Sequence, residues 1–220
     1  MRPRTALAYL VLSLVSVASN LTAPFFGIEL LKAIPTALLA LEAARATRAG
    51  YGRWITVGVA LGSVGDFLLA TLSKALFIPG LVAFLVGHLA YIVAFGRDRD
   101  ETALVRRAPA LLALLLYTAC AATFVAVQNP VVDGEHVALP VIGYVAVITL
   151  MTGLALVHRA RTALIAWGAV VFVISDSHIP INFFVLPAPS LPLIVSGYVT
   201  YYLAQYLIVE GACRESAARG

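Results

Sequence analysis

Apolar runs of roughly 16 to 22 residues recur along nearly the whole chain, each near the length a helix needs to cross the hydrocarbon core of a bilayer. In hydrocarbon every backbone N–H and C=O must find its partner within the protein, and for single apolar runs of this length the solution is the α-helix. Eight spans can be read, at about 5–21, 25–43, 54–73, 77–96, 108–127, 138–157, 163–185 and 191–209. Only 12% of the 220 residues are charged against 61% apolar, and mean hydropathy is +0.96; a soluble domain carries about twice that charge. The expected fold is therefore an all-α membrane protein of eight transmembrane helices, one polytopic domain over residues 1–220. Connections are short and no soluble domain is appended. The first twenty residues imitate a signal peptide, with Arg2 and Arg4 before an apolar core. No clean small-x-small cleavage site follows, so the first helix reads as retained.

Orientation follows from the basic residues. With the N-terminus inside and sides alternating, Arg2, Arg4, Arg45, Arg48, Arg53, Arg97, Arg99, Arg106, Arg107, Arg159, Arg161, Arg214 and Arg219 collect inside. Lys74 alone falls outside, and Lys32 lies within a helix. This asymmetry places both termini in the cytoplasm and supports an even number of spans. The formal net charge of +4 is strung through loops and is no nucleic-acid footprint. Cys120 lies in a span and Cys213 in the tail, which implies no disulfide framework.

A shift of 110 residues places Asp66 on Asp176, Pro79 on Pro189, Gly87 on Gly197 and Tyr91 on Tyr201. Four helices per half would make two parallel four-helix repeats, a known membrane architecture, and would bring the third and seventh helices into equivalent positions. Chance matching is the alternative.

Asp66 and Asp176 each sit deep within an apolar run, where an ionised carboxylate costs several kcal/mol, so a functional role is the default expectation. Counting 1.5 Å per residue along each span places both in the outer half of the bilayer, with Glu29, Lys32 and Tyr144 in the same slab. His88 and Tyr91 fall near mid-depth, and Gln205 lies nearer the cytoplasm. Pro180 has no N–H, so it releases the carbonyl of Asp176; Pro35 does the same for Leu31 beside Lys32. Glu29 and Lys32, three residues apart, either neutralise each other or serve a ligand, Lys32 by holding a phosphate. Ser175 precedes Asp176 but has no histidine placed to activate it, and His178 points away from the Asp176 face. His136 and His158 lie in or beside loops and read as solvated. His88, Asp66, Asp176 and His178 could ligate zinc, but the tight histidine spacing that would make this specific is missing, so no metal or other cofactor is assigned.

A set of ordered motifs runs from the second span to the eighth. They are Lys32-x-x-Pro35, Gly65-Asp66-Phe67-Leu68-Leu69, Gly80 with Phe84, Gly87-His88-x-x-Tyr91, Pro140-Val141-x-x-Tyr144 with Met151, Gly168 to Phe172, Ser175-Asp176-Ser177 and Tyr201-Tyr202-x-x-Gln205-Tyr206. In these the chain resembles the YhhN-like membrane proteins, whose characterised animal members are lysoplasmalogenases. His178 and Pro180 depart from that pattern. The resemblance implies an eight-helix membrane hydrolase that cleaves the vinyl ether of a lysoplasmalogen-like lysophospholipid to a fatty aldehyde and a glycerophospho-headgroup.

Enol-ether hydrolysis needs a proton donor and a carboxylate to face an oxocarbenium-like cation, the division of labour of glycosidases. Two nearby carboxyl groups resist double ionisation, so a pair supplies both roles. Asp66 and Asp176 are the expected catalytic pair. Lys32, Glu29, His88, Tyr91, Tyr144 and Ser175 are the expected substrate-binding and orienting residues. The expected partners are membrane lipids, with the lysophospholipid as substrate and no nucleic acid. Ala- and Arg-rich usage points to a bacterial cytoplasmic membrane. Two other readings compete: a proton-coupled carrier of a lipid or small amphiphile, and a metal-dependent membrane amide or ester hydrolase.

Overall fold

A computed structural model describes residues 1–47, 50–71, 73–132, 135–160 and 162–218. Arg48, Arg161 and Arg219, counted above for orientation, lie outside the described residues.

The described chain is helical apart from turns and one two-residue ladder. Its helices are α1 (Pro3–Ala18), α2 (Ile28–Ala46), α3 (Tyr51–Ala70), α4 (Lys74–Phe95), α5 (Glu101–Arg106), α6 (Ala108–Gln128), α7 (Ala138–Val157), α8 (Leu164–Pro180) and α9 (Leu191–Ala218). Among the described residues, six are long and apolar enough to cross a membrane: α1, α3, α4, α6, α7 and α9. α2 carries Glu29, Lys32, Glu42 and Arg45 within its nineteen residues. α8 has seventeen residues, and a π turn, Ile181–Val185, continues it beyond Pro180. Large apolar side chains such as Leu7, Leu10 and Leu14 on α1 and Leu112, Leu115 and Leu116 on α6 are exposed on the outside of the bundle, as suits contact with lipid.

Boundaries move for local reasons. α2 begins at Ile28, later than its apolar run, because Gly27 precedes it with φ of 88°. α9 continues to Ala218, past the end of its apolar run, and an Arg214–Glu210 pair spaced i,i+4 lies on the extension. The short helix α5 was not expected; the side chain of Asp100 caps it by accepting from the Thr102 N–H. Val131–Val132 and Glu135–His136 form a small antiparallel ladder, pairing Val131 with His136.

The expectation that His158 is solvated is overturned. It is 6% exposed, its Nε2 lies 3.2 Å from Glu215 Oε2, and its ring stacks on Tyr51 at 5.2 Å. The extension of α9 beyond the apolar run brings Glu215 to it.

Packing is sequential within each half and crossed between halves. α1 packs on α2, α2 on α3 and α3 on α4; α6 packs on α7, α7 on α8 and α8 on α9. Across the halves α4 meets α7 and α2 meets α9. Small residues permit the close approaches. A Cβ on Gly58 would lie 2.6 Å from the Tyr91 ring, and one on Gly168 would lie 2.8 Å from Ile208. The core includes Leu39, Ile55, Val59, Tyr91, Phe95, Met151, Phe172 and Ile208.

Candidate functional site

Two groups of interior polar residues form around carboxylates on α3 and α8. Asp66 on α3 is 4% exposed, and its Oδ2 accepts from Thr36 Oγ1 of α2 at 2.7 Å and from Tyr201 OH of α9 at 2.9 Å. The Gln205 amide donates to Tyr201 OH at 3.3 Å, and its Oε1 accepts from Tyr91 OH at 2.5 Å. A chain of polar groups thus runs from α4 through α9 to Asp66. Thr36 also reaches the carbonyl of Ala33, which accepts from Ser63 Oγ as well, at 2.9 Å.

Asp176 on α8 has a different setting. Its Oδ2 accepts from Tyr144 OH of α7 at 2.6 Å, and His88 Nε2 of α4 stands 3.8 Å from the same oxygen. His88 is 2% exposed; its Nε2 makes no hydrogen bond among the described residues, and the ring otherwise faces the backbone of Phe84 one turn earlier on α4. Its ring is held edge-on by Tyr144 at 5.5 Å and Phe172 at 4.8 Å. A buried imidazole fixed by aromatic rings with its Nε2 unspent is costly for stability alone.

Among the described residues no hydrogen bond or ion pair joins the two carboxylates. Rings stand between them: Phe172 packs against His88 on the Asp176 side and, at 5.6 Å, against Tyr201 on the Asp66 side. The expected pair therefore takes the form of two separately held carboxyl groups around one aromatic wall.

The other expected site residues divide. Tyr144 and His88 lie at Asp176; Tyr91 reaches Asp66 only through Gln205 and Tyr201. Lys32 is buried, but its Nζ donates to Asn20 Oδ1 at 2.6 Å and lies 3.9 Å above the Tyr198 ring. No Glu29–Lys32 ion pair forms among the described residues, and Glu29 is partly exposed in the first turn of α2. Ser175 donates to the Gly197 carbonyl at 3.1 Å and so ties α8 to α9. His178 Nδ1 is engaged by the Ile174 carbonyl at 2.7 Å and the Ser175 carbonyl at 3.2 Å. The zinc set considered from sequence does not converge, because Asp66 and His178 are each held elsewhere.

Thr36 and Asn20 were not foreseen. Hydroxyls and amides are common in membrane helices, and only the neighbour across the helix interface distinguishes these two. Tyr201 carried a signal, since both the repeat and the motif set pass through it.

Backbone irregularity lies beside the site. Pro180 closes α8 four residues after Asp176, and the π turn that follows is closed by Leu186 N–H donating to the Ile181 carbonyl at 3.1 Å. Such turns are frequent near functional positions.

Comparison with known proteins adds the family. The model of the YhhN family matches residues 28–212. The chain is similar to human lysoplasmalogenase TMEM86B, with 30% identity over 165 residues, 75% of this chain and 66% of that protein. It is similar to human lysoplasmalogenase TMEM86A, with 36% identity over 72% of this chain and 64% of that protein. A lysoplasmalogenase of Mycobacterium tuberculosis is 32% identical over 72% of this chain and 60% of that protein. The match thus spans slightly less than two thirds of the length of these relatives. No solved structure matches the chain.

Proposed function

Because the chain belongs to the YhhN family, we propose that it is an integral membrane hydrolase that cleaves the vinyl ether of lysoplasmalogen-like lysophospholipids. The observation that carries the reading is the cluster of polar groups around Asp176. There a partly exposed carboxyl group, a tyrosine hydroxyl that donates to it and an imidazole standing 3.8 Å away meet beside aromatic rings. The names of the similar proteins, lysoplasmalogenases of human and mycobacterial origin, supply the substrate class.

In this proposal Asp176 delivers a proton to the vinyl β-carbon, and the C=C electron pair forms the new C–H bond. The positive charge that results is shared by the α-carbon and the ether oxygen. Asp66, clamped by Thr36 and Tyr201, faces that cation. Water adds to the α-carbon and gives up a proton to a carboxylate. The hemiacetal then breaks its C–O bond as its hydroxyl proton passes to the leaving glycerol oxygen, releasing a fatty aldehyde and the glycerophospho-alcohol; one water is consumed, and the proton taken from water restores Asp176 as the acid. Tyr144 and His88 hold Asp176 and the incoming group, while Tyr91 acts on the far side through Gln205. Lys32, once freed from Asn20, is the cation available to a headgroup phosphate; Glu29 stands one turn before it on α2, and Ser175 acts by tying α8 to α9 beside Asp176.

The architecture that suits this reading is eight spans in one polytopic domain. α8 with its π turn forms the seventh, and α2 forms the second despite its charges. Parallel repeats are supported by the way each aspartate is held. Asp66 is bonded from α2 and α9 and Asp176 is approached from α7 and α4, so each meets the preceding helix of its own half and the last helix of the other. Basic loops favour cytoplasmic termini in a bacterial cytoplasmic membrane.

The test is fatty-aldehyde release from a lysoplasmalogen by purified protein in detergent, beside Asp66→Asn and Asp176→Asn. Turnover by the parent and a loss of at least ~100-fold in each folded variant is expected. Near-normal turnover in both variants would remove the aspartates from the mechanism. A ligand moved unchanged across a vesicle bilayer, with no aldehyde released, would identify a carrier.

A further inference from the structure

α6 is the most weakly enclosed long helix: of its residues only Val125 is buried, and it packs on α7. Towards α8 it leaves an apolar trough of about 380 Å3, walled by residues that include Ala113, Leu114, Val170 and Trp167. A hydrogen bond between Tyr117 and Ser177 crosses one end of the trough. At the other end it runs into a second, polar cleft of about 160 Å3, and Arg107, Leu156 and Ala166 line both. Tyr117 is ten residues on from Arg107 along α6, roughly 15 Å at the helical rise, which suits one alkyl chain of moderate length.

The charge in the polar cleft is uneven. Arg106 has Asp100 at 3.5 Å, and Arg159 has Asp98 at 3.9 Å. Arg107, half-buried where the clefts join, has no carboxylate partner among the described residues. Asp100 is already engaged by Thr102 and Arg106. Thr162 also lines the polar cleft, its hydroxyl shielded and without a partner among the described residues. An arginine fork without a carboxylate partner at the mouth of a one-chain apolar trough is complementary to a phosphate-headed, single-chain lipid.

We propose that this joined cleft binds such a lipid, with its phosphate on Arg107 and its chain lying between α6 and α8, where it completes the packing of α6. The headgroup seat is set apart from the aspartate centre, which the far end of the trough adjoins at Ser177: Asp176 lies ten residues along α8 from Ala166, again roughly 15 Å, so a head seated at Arg107 keeps its glycerol linkage away from Asp176. The inference therefore stands whether or not the proposed hydrolysis is correct.

Trp167 in the trough wall is a built-in reporter. In a Trp54→Phe background it is the only tryptophan. The protein is placed in nanodiscs of zwitterionic lipid and titrated with a single-chain lipid that carries a brominated chain and a phosphate monoester head. The control is the same brominated chain on a glycerol head. Saturable quenching of Trp167 is expected. Arg107→Gln should raise half-saturation about tenfold for the phosphate lipid and leave the glycerol lipid unchanged. Ala113→Phe, with Arg107 intact, should abolish saturable quenching by filling the trough. Equal quenching by both lipids, unaltered by Arg107→Gln in a protein of unchanged melting temperature, would reduce the trough to annular lipid contact and overturn the site.

Discussion

Asp66 on α3 and Asp176 on α8, matched in the proposed repeat, are held differently. Asp66 receives two hydroxyl donors on one oxygen, from helices on either side, and the polar chain behind it ends on Tyr91. Asp176 receives one, and the next polar group, His88, stands back at 3.8 Å with its Nε2 making no hydrogen bond among the described residues. Two donors fix a carboxylate; one donor and an imidazole with its Nε2 uncommitted leave capacity for a reacting group. In the proposed repeat the two aspartates share an origin, while the surrounding hydroxyls clamp one and leave the other less fully bonded.

The largest effects should come from the carboxylates themselves. If both serve one reaction, the Asp66→Asn/Asp176→Asn double variant should be no slower than the worse single variant, because groups that act as a unit are not additive. Multiplied losses would show that the halves work independently. His88→Gln comes next. It keeps a polar side chain of similar reach but cannot hold a proton as imidazole does, and turnover should fall by roughly tenfold or more with little change in melting temperature. A large fall in stability with turnover preserved would make His88 a packing residue. Below it, Tyr144→Phe should cost more turnover than Tyr201→Phe, because Thr36 still holds Asp66 when Tyr201 is lost. Tyr201→Phe/Thr36→Val should then close the gap. Equal single effects would erase the proposed difference between the halves.

How much of this could be read from the chain depends on the range of the interaction. The apolar runs mark the positions of all the long helices, because burial in hydrocarbon acts on stretches of twenty residues at once. α5 escapes a scan of that length, although Asp100 before Glu101 and Thr102 is a short-range cap signal. Asp66, Asp176, His88 and Tyr144 stand out because polar atoms in hydrocarbon are expensive wherever they point. Glu29 and Ser175 drew the same attention on position alone. The structure leaves Glu29 partly exposed and spends the Ser175 hydroxyl on Gly197. Lys32 was read against Glu29 because they share a helix, whereas its partners come from Asn20 before that helix and Tyr198 on α9. His158 was misread for the same reason: its burial depends on Glu215, fifty-seven residues away.

The smallest expected effect is the most discriminating about geometry, because it touches neither carboxylate. A Cβ on Gly62 of α3 would lie 2.8 Å from Gln205 Nε2 and 2.9 Å from Tyr201 OH, so Gly62→Ala must push the pair that clamps Asp66. Gly143, beside Tyr144 on α7, has nothing within 4 Å of its Cβ position, so Gly143→Ala meets open space next to the Asp176 side. Gly62→Ala should destabilise by about 1–3 kcal/mol through overpacking. Gly143→Ala should be neutral or stabilising by up to ~1 kcal/mol, since alanine loses less backbone entropy in a helix. Thermal melts in detergent give that order directly. Aldehyde release then separates clamp from support. If Gly62→Ala melts earlier and also slows turnover several-fold, the placement of Tyr201 governs Asp66 in the reaction. If it melts earlier with turnover unchanged, the clamp on Asp66 serves stability, and the catalytic difference between the halves is wider than their hydrogen bonds imply.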